Sequence, residues 1–233
     1  MLLNFLLQIN VVGSTTVSAP VEQANQMQLS LWELSLKGGL IMIPIAILSV
    51  VAVYIFVDRL IAIKKASKND TIFMNSIKES ILSNKLDSAI SLCKATDSPL
   101  ARMIEKGISR LGRPLNDINA AIENVGKMEV SKLEKWFAFL ATTAGAAPML
   151  GFLGTVTGMI KAFFNMANAG SNIDITLLSS GIYEAMVTTV AGLIVGIMAY
   201  LTYNYLVVRV NNVVNTLELR TTEFMDLLNE PVK

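Results

Sequence analysis

The chain has 233 residues, 53% of them hydrophobic and only 16% charged, whereas an ordinary soluble domain is about a quarter charged. Its net charge of +1 supplies no electrostatic footprint for nucleic acid. With no histidine and with Cys93 as the single cysteine, histidine-based triads, intramolecular disulfides and Cys/His zinc sites are excluded, and no metal or cofactor is expected.

Charge is unevenly distributed. Fourteen of the nineteen Lys and Arg lie between Arg59 and Lys135, and no acid falls between Glu134 and Asp174 or between Glu184 and Glu218. Three apolar windows remain.

Residues 1–37 form an outer N-terminal segment. The run MLLNFLLQINVV and the site Val17-Ser18-Ala19 admit two readings: a signal-like leader, or an amphipathic surface helix through Leu2, Leu3, Phe5, Leu6 and Ile9. Residues 38–57, GGLIMIPIAILSVVAVYIFV, are the first span. Twenty residues at about 1.5 Å each reach across a hydrocarbon core of about 30 Å, and Pro44 is tolerated in such a helix.

Residues 58–135 are too charged to span. Periodic apolar positions such as Ile77, Ile81, Ile90, Ile104 and Ile108 predict amphipathic helices. Breaks are expected at Asp97-Ser98-Pro99 and Gly112-Arg113-Pro114, with each proline as a first helical residue. Cys93 reads as a small core residue. From Leu115 the helical pattern runs uninterrupted into the second span, 136–164. A short loop, 165–176, leads to the third span, 177–208, which continues as helix through 209–233.

The basic block sets the orientation by the positive-inside rule. Residues 58–135 and the C-terminal helix are cytoplasmic, the N-terminus and the loop 165–176 lie outside, and the expected fold is all-α with three spans, N-out and C-in.

Glu184 is the acid inside the third apolar window, GIYEAMVTTVAGLIVGIMAYL. An ionisable group there is costly and marks a functional site by default. Its bland alternative is solvation near the outer interface. Lys161, at similar depth on the second span, either snorkels to that surface or approaches Glu184. The second span carries Ala147, Gly151, Thr155 and Gly158 on or near one face, with Gly154 a further small packing residue, and the third carries Ala185, Thr189, Gly192, Gly196 and Ala199. Small residues at these spacings let helices pack closely in lipid. Thr155 and Thr189 either bond back to their own helices or line a pathway. No titratable group lies deeper than Glu184, so a proton carrier would belong to another chain. No Walker loop or dinucleotide fingerprint is present, and enzymatic chemistry is not expected.

PMLGFLGTVTGMIKAF (Pro148 to Phe163), GIYEAMVTTVAGLIVGI (Gly181 to Ile197) and SPLARMIEKG (Ser98 to Gly107) together resemble the MotA/TolQ/ExbB proton-channel family. The resemblance covers about Leu34 to Leu228. It implies a homopentamer in the bacterial inner membrane around a dimer of single-span, ExbD-like partners whose helices carry a proton-binding aspartate. Thr155 and Thr189 match the two threonines that face this aspartate, Glu184 the glutamate of the third span, and Pro148 the proline opening the second-span motif. It further implies coupling to a TonB-like protein, with Tol–Pal function as the alternative; from a different class, the same residues admit a membrane scaffold without ion flux, whose threonines only pack. Flagellar stator subunits have a fourth span and a larger cytoplasmic domain. Nearly forty residues before the first span favour ExbB over TolQ.

Overall fold

The structure, a computed structural model, describes residues 39–67, 70–168 and 175–229. The leader or surface helix expected within 1–37 lies outside these residues, as does half of the expected loop 165–176, residues 169–174. Seven helices follow in order: α1 Met42–Ala66, α2 Asp70–Leu82, α3 Leu86–Ala95, α4 Pro99–Ile108, α5 Leu115–Leu133, α6 Phe137–Asn168 and α7 Ile175–Asn229. Three helical stretches, carried by α1, α6 and α7, are long and apolar enough to cross a membrane.

Helix α1 places Pro44 in its first turn, where a missing N–H leaves no intrahelical bond unmade. Its inner side packs on α7. Ile45, Ile55 and Ile63 are buried, and Phe56 sets its ring edge-on to Tyr205, centroids 6.5 Å apart. The outer side leaves Ile47, Val50, Val53 and Tyr54 exposed. That pattern suits a helix whose solvent is lipid.

Helices α6 and α7 run antiparallel and meet along small residues. A methyl at Gly192 would stand 2.5 Å from the Ala147 carbonyl oxygen, and one at Gly158 would stand 2.9 Å from the Ala185 methyl. At 32 and 55 residues, these helices extend about 48 and 82 Å. The second therefore outruns a bilayer and supports the charged helices as well.

Those helices share one core with the distal part of α7. Leu100, Ile104, Ile122 and Phe224 are fully buried. Gly107 lets α4 touch both neighbours: a Cβ there would lie 2.7 Å from the Phe224 ring and 2.8 Å from Ile122. Local chemistry sets the breaks. Ser98 caps α4, its hydroxyl accepting from the Ala101 N–H at 3.1 Å, with Pro99 as first helical residue, as the sequence predicts. Gly112 takes φ +89° in the expected turn. Pro114 stands one place earlier than expected, at the N-cap of α5.

One difference from the sequence expectation is the junction of α5 and α6. The pattern predicts continuous helix, but Trp136 adopts φ +72° and α6 restarts at Phe137. Left-handed backbone is uncommon for a bulky residue. Here Leu133 and Phe137 are both buried, and Phe137 packs edge-on against Tyr203 at 6.1 Å. Burial on both sides of the turn holds it, with no Gly or Pro to announce it.

An ion network ties α1, α4 and α5 together. Lys65 donates to Asp97 at 2.6 Å, Arg102 to Asp97 at 2.8 Å and to Glu129 at 2.6 Å, and Lys132 to Glu129 at 2.6 Å. Arg59 adds a bond to the Lys132 carbonyl at 2.9 Å. Burial alone would raise the Glu129 carboxyl, but the hydrogen bonds from Arg102 and Lys132 outweigh it and hold it below the ordinary range.

Candidate functional site

The seam between α6 and α7 is built from residues too small to hold the backbones apart. On α6 it runs through Ala147, Gly151, Gly154, Gly158 and Ala162, all buried, and on α7 through Gly181, Ala185, Thr188, Gly192 and Gly196, also buried. A Cβ at Gly151 would lie 3.0 Å from the Thr188 carbonyl oxygen and 3.3 Å from the Gly192 Cα. Pro148 fits against Gly196, where a methyl would come within 2.5 Å of the proline ring. The sequence-predicted small residues are thus brought together on one interface, with Pro148 as its wedge.

The two threonines behave differently. Thr189 is half-buried and donates across the seam to the Gly151 carbonyl at 2.9 Å. Thr155, one turn from Gly151, bonds back to the Phe152 carbonyl of its own helix at 2.6 Å. Both remain partly open on the flank of the pair. Of the alternatives the sequence left, self-bonding therefore describes Thr155 and not Thr189.

Thr188 is the residue sequence reasoning missed. It is 1% exposed, donates to the Ala185 and Glu184 carbonyls at 2.8 and 3.2 Å, and its side chain fills the space that a Cβ at Gly154 would take. The signal was available: Gly181, Ala185, Thr188, Gly192 and Gly196 follow the three-and-four spacing of a helix face, whereas Thr189 sits one residue off it.

Glu184 lies at the end of the seam. Its carboxylate is 3.8 Å from Lys161 Nζ, with the glutamate side chain 30% and the lysine 67% exposed. The carboxylate also packs against the backbone of Gly39, in the space a side chain there would fill. Gly39 itself adopts φ +69°, so it supplies both the turn and the close approach. Leu40 and Ile41 of the α1 approach, Thr157, Lys161, Glu184 and Thr188 line a cleft of about 310 Å³. Helices α6 and α7 and the segment leading into α1 thus contribute to one cleft, in which a carboxylate, an ammonium and hydroxyls are offered to a proton or to water.

The model of the MotA/TolQ/ExbB proton channel family matches residues 95–219, which takes in α6, the seam-forming part of α7 and Glu184. A biopolymer transport protein ExbB homologue of Methanothermobacter thermautotrophicus is 26% identical over 188 residues, 80% of this chain and 66% of the relative. The chain therefore spans just under two thirds of that relative's length. A biopolymer transport protein ExbB of Neisseria meningitidis is 28% identical over 69% of this chain and 77% of its own. A Tol-Pal system protein TolQ of Pseudomonas aeruginosa is 26% identical over 87% of this chain and 94% of its own.

Proposed function

Because the chain belongs to the MotA/TolQ/ExbB proton channel family, we propose that it is the channel subunit of an ExbB-type motor. Five copies would surround two single-span, ExbD-like helices in a bacterial inner membrane and use the proton gradient to energise a TonB-like protein. The observation that carries this reading is the placement of Thr155 and Thr189. Both flank a tight seam of glycines and other small residues, and both keep part of their surface open to a neighbour.

The physical logic is as follows. This chain offers hydroxyls and one peripheral carboxylate but no titratable group deep in its apolar windows, so the carrier is an aspartate on the partner. Protonation removes that charge and frees it from one threonine site. Deprotonation restores the attraction to the next. Each proton releases about 2.3 kcal/mol per 100 mV, and five subunits cannot match two partner helices symmetrically, so each transfer steps the partner round. Glu184 and Lys161 would form the polar approach at the outer end, and the network around Glu129 would brace the cytoplasmic side.

The test is proton flux in vesicles containing this chain and its partner. A Thr155→Ala, Thr189→Ala double variant is expected to assemble normally and lose at least tenfold of its flux. Undiminished flux would overturn the threonine pathway. TolQ-type function predicts rescue of envelope integrity rather than of TonB-dependent uptake when the gene is expressed in strains lacking either system.

A further inference from the structure

Helix α5 has three faces. Ile118, Ile122, Glu129 and Leu133 point into the core and are buried. The other two faces lie at about 120° to it and to each other, counting 100° per residue, and they carry opposite charge. One borders a groove of about 630 Å³ against α7, where Glu123, Glu134 and Glu218 outnumber Lys127. The other borders a recess of about 470 Å³ against α4, where Lys106 and Arg110 outnumber Asp117.

None of these charges enters an ion pair among the described residues, although Glu123 accepts from the Asn119 side-chain amide at 2.8 Å. The ion pairs among the described residues are Asp58–Arg59, Lys65–Asp97, Arg102–Asp97, Arg102–Glu129, Lys132–Glu129, Lys161–Glu184 and Arg220–Glu223. Lys106, Arg110, Glu123, Glu134 and Glu218 appear in none of them. Two further features mark these faces as sites of contact. Thr221 lines the acidic groove with its hydroxyl buried and, among the described residues, without a hydrogen-bond partner, an arrangement that costs stability. Met128 leaves 62% of its surface exposed beside the basic recess, outside the apolar windows.

We propose that the acidic α5–α7 groove of one copy receives the basic α4–α5 face of a second copy, so that the chain assembles head-to-tail through its charged helices. A heterologous contact of this kind generates a ring when the rotation closes. The inference deepens the homo-oligomeric reading above by naming the faces that meet. Opposite charges set the register, and Met128 supplies apolar contact against Val130, Val214 and Leu217 of the groove.

The experiment uses the full chain in membranes. In a Cys93→Ala background, Lys106→Cys and Glu123→Cys are placed in the same molecule and oxidised. The expected result is a ladder of covalent multimers ending at one closed species, while each single-cysteine variant stops at a dimer or below. Absence of a ladder, with the helical signal unchanged, overturns the proposal. As an independent arm, Lys106→Glu with Arg110→Glu is expected to weaken association in detergent roughly tenfold. Adding Glu123→Lys and Glu218→Lys is expected to restore it, and failure of the restoration overturns the pairing. If association and cross-linking fail to respond while proton flux persists, the named faces are wrong and the channel reading stands. A wild-type chain that is monomeric by mass removes both.

Discussion

Gly192 and Gly145 lie in the same helix pair and make opposite predictions. A methyl at Gly192 meets the Ala147 carbonyl at 2.5 Å and the Gly151 Cα at 2.9 Å, and both atoms are backbone that cannot rotate aside. Gly192→Ala is therefore expected to force α6 and α7 apart and cost about 1–3 kcal/mol. A methyl at Gly145 meets nothing within 4 Å. Gly145→Ala is expected to leave stability unchanged or raise it by up to about 1 kcal/mol, because alanine loses less backbone entropy in a helix. Thermal unfolding of the two variants in detergent compares them directly. Cys93 makes a second prediction at this scale. It is 2% exposed, and burial, with Glu105 nearby, pushes its thiol up to about 12. The reactive thiolate is then scarce at neutral pH, so a maleimide at pH 7.5 should label Cys93 only after denaturation. Rapid labelling of the folded chain would contradict its placement in the core.

Among the elements, the helices that rely on local signals were legible and those held by distant packing were not. Ser98-Pro99 announces α4 because a hydroxyl acceptor and a fixed φ act within one turn. Trp136 announces nothing, since its left-handed backbone is held by Leu133, Phe137 and Tyr203, the last more than sixty residues away. For the same reason Thr188 was overlooked beside Thr189: the spacing was in the sequence, but only the antiparallel register with Gly154 shows which hydroxyl is enclosed. The ion network was equally invisible, because Lys65, Asp97, Arg102 and Glu129 are scattered over sixty-five positions. Its pH response follows from the directions of its shifts. Asp97 is held low by hydrogen bonds from Lys65 and then Arg102, and Glu129 is held low once those from Arg102 and Lys132 outweigh its burial. The unfolded chain takes up these protons in the ordinary carboxylate range near pH 4. The stabilisation is therefore complete above that range and is lost as pH falls through the lower folded values. Glu129→Gln should cost about 1.5–3 kcal/mol at pH 7 and flatten the acid limb of a pH–stability curve. An unaltered acid limb would mean that the network contributes nothing to folding.

For the whole molecule, three helical stretches long and apolar enough to cross a membrane have a consequence that labelling can check. Helices α2 to α5 share one core with the distal part of α7, through contacts such as Gly107 with Phe224, so these parts lie on one side whatever the orientation. The C-terminal end of α6, at Asn168, lies at the far end of a helix of about 48 Å, long enough to place it across the bilayer. Fourteen of nineteen basic residues fall between Arg59 and Lys135, and by the positive-inside rule that side is proposed to be the cytoplasm. In a Cys93→Ala background, a cysteine at Asn168 should react with a membrane-impermeant maleimide on intact cells stripped of outer membrane. Cysteines at Lys78, exposed on α2, and at Asn229 should react only after the inner membrane is opened. Labelling of Lys78→Cys and Asn229→Cys in opposite conditions would break the shared core. Labelling of both from outside would invert the topology, and with it the assignment of the Glu184–Lys161 recess to the outer end of the proton path.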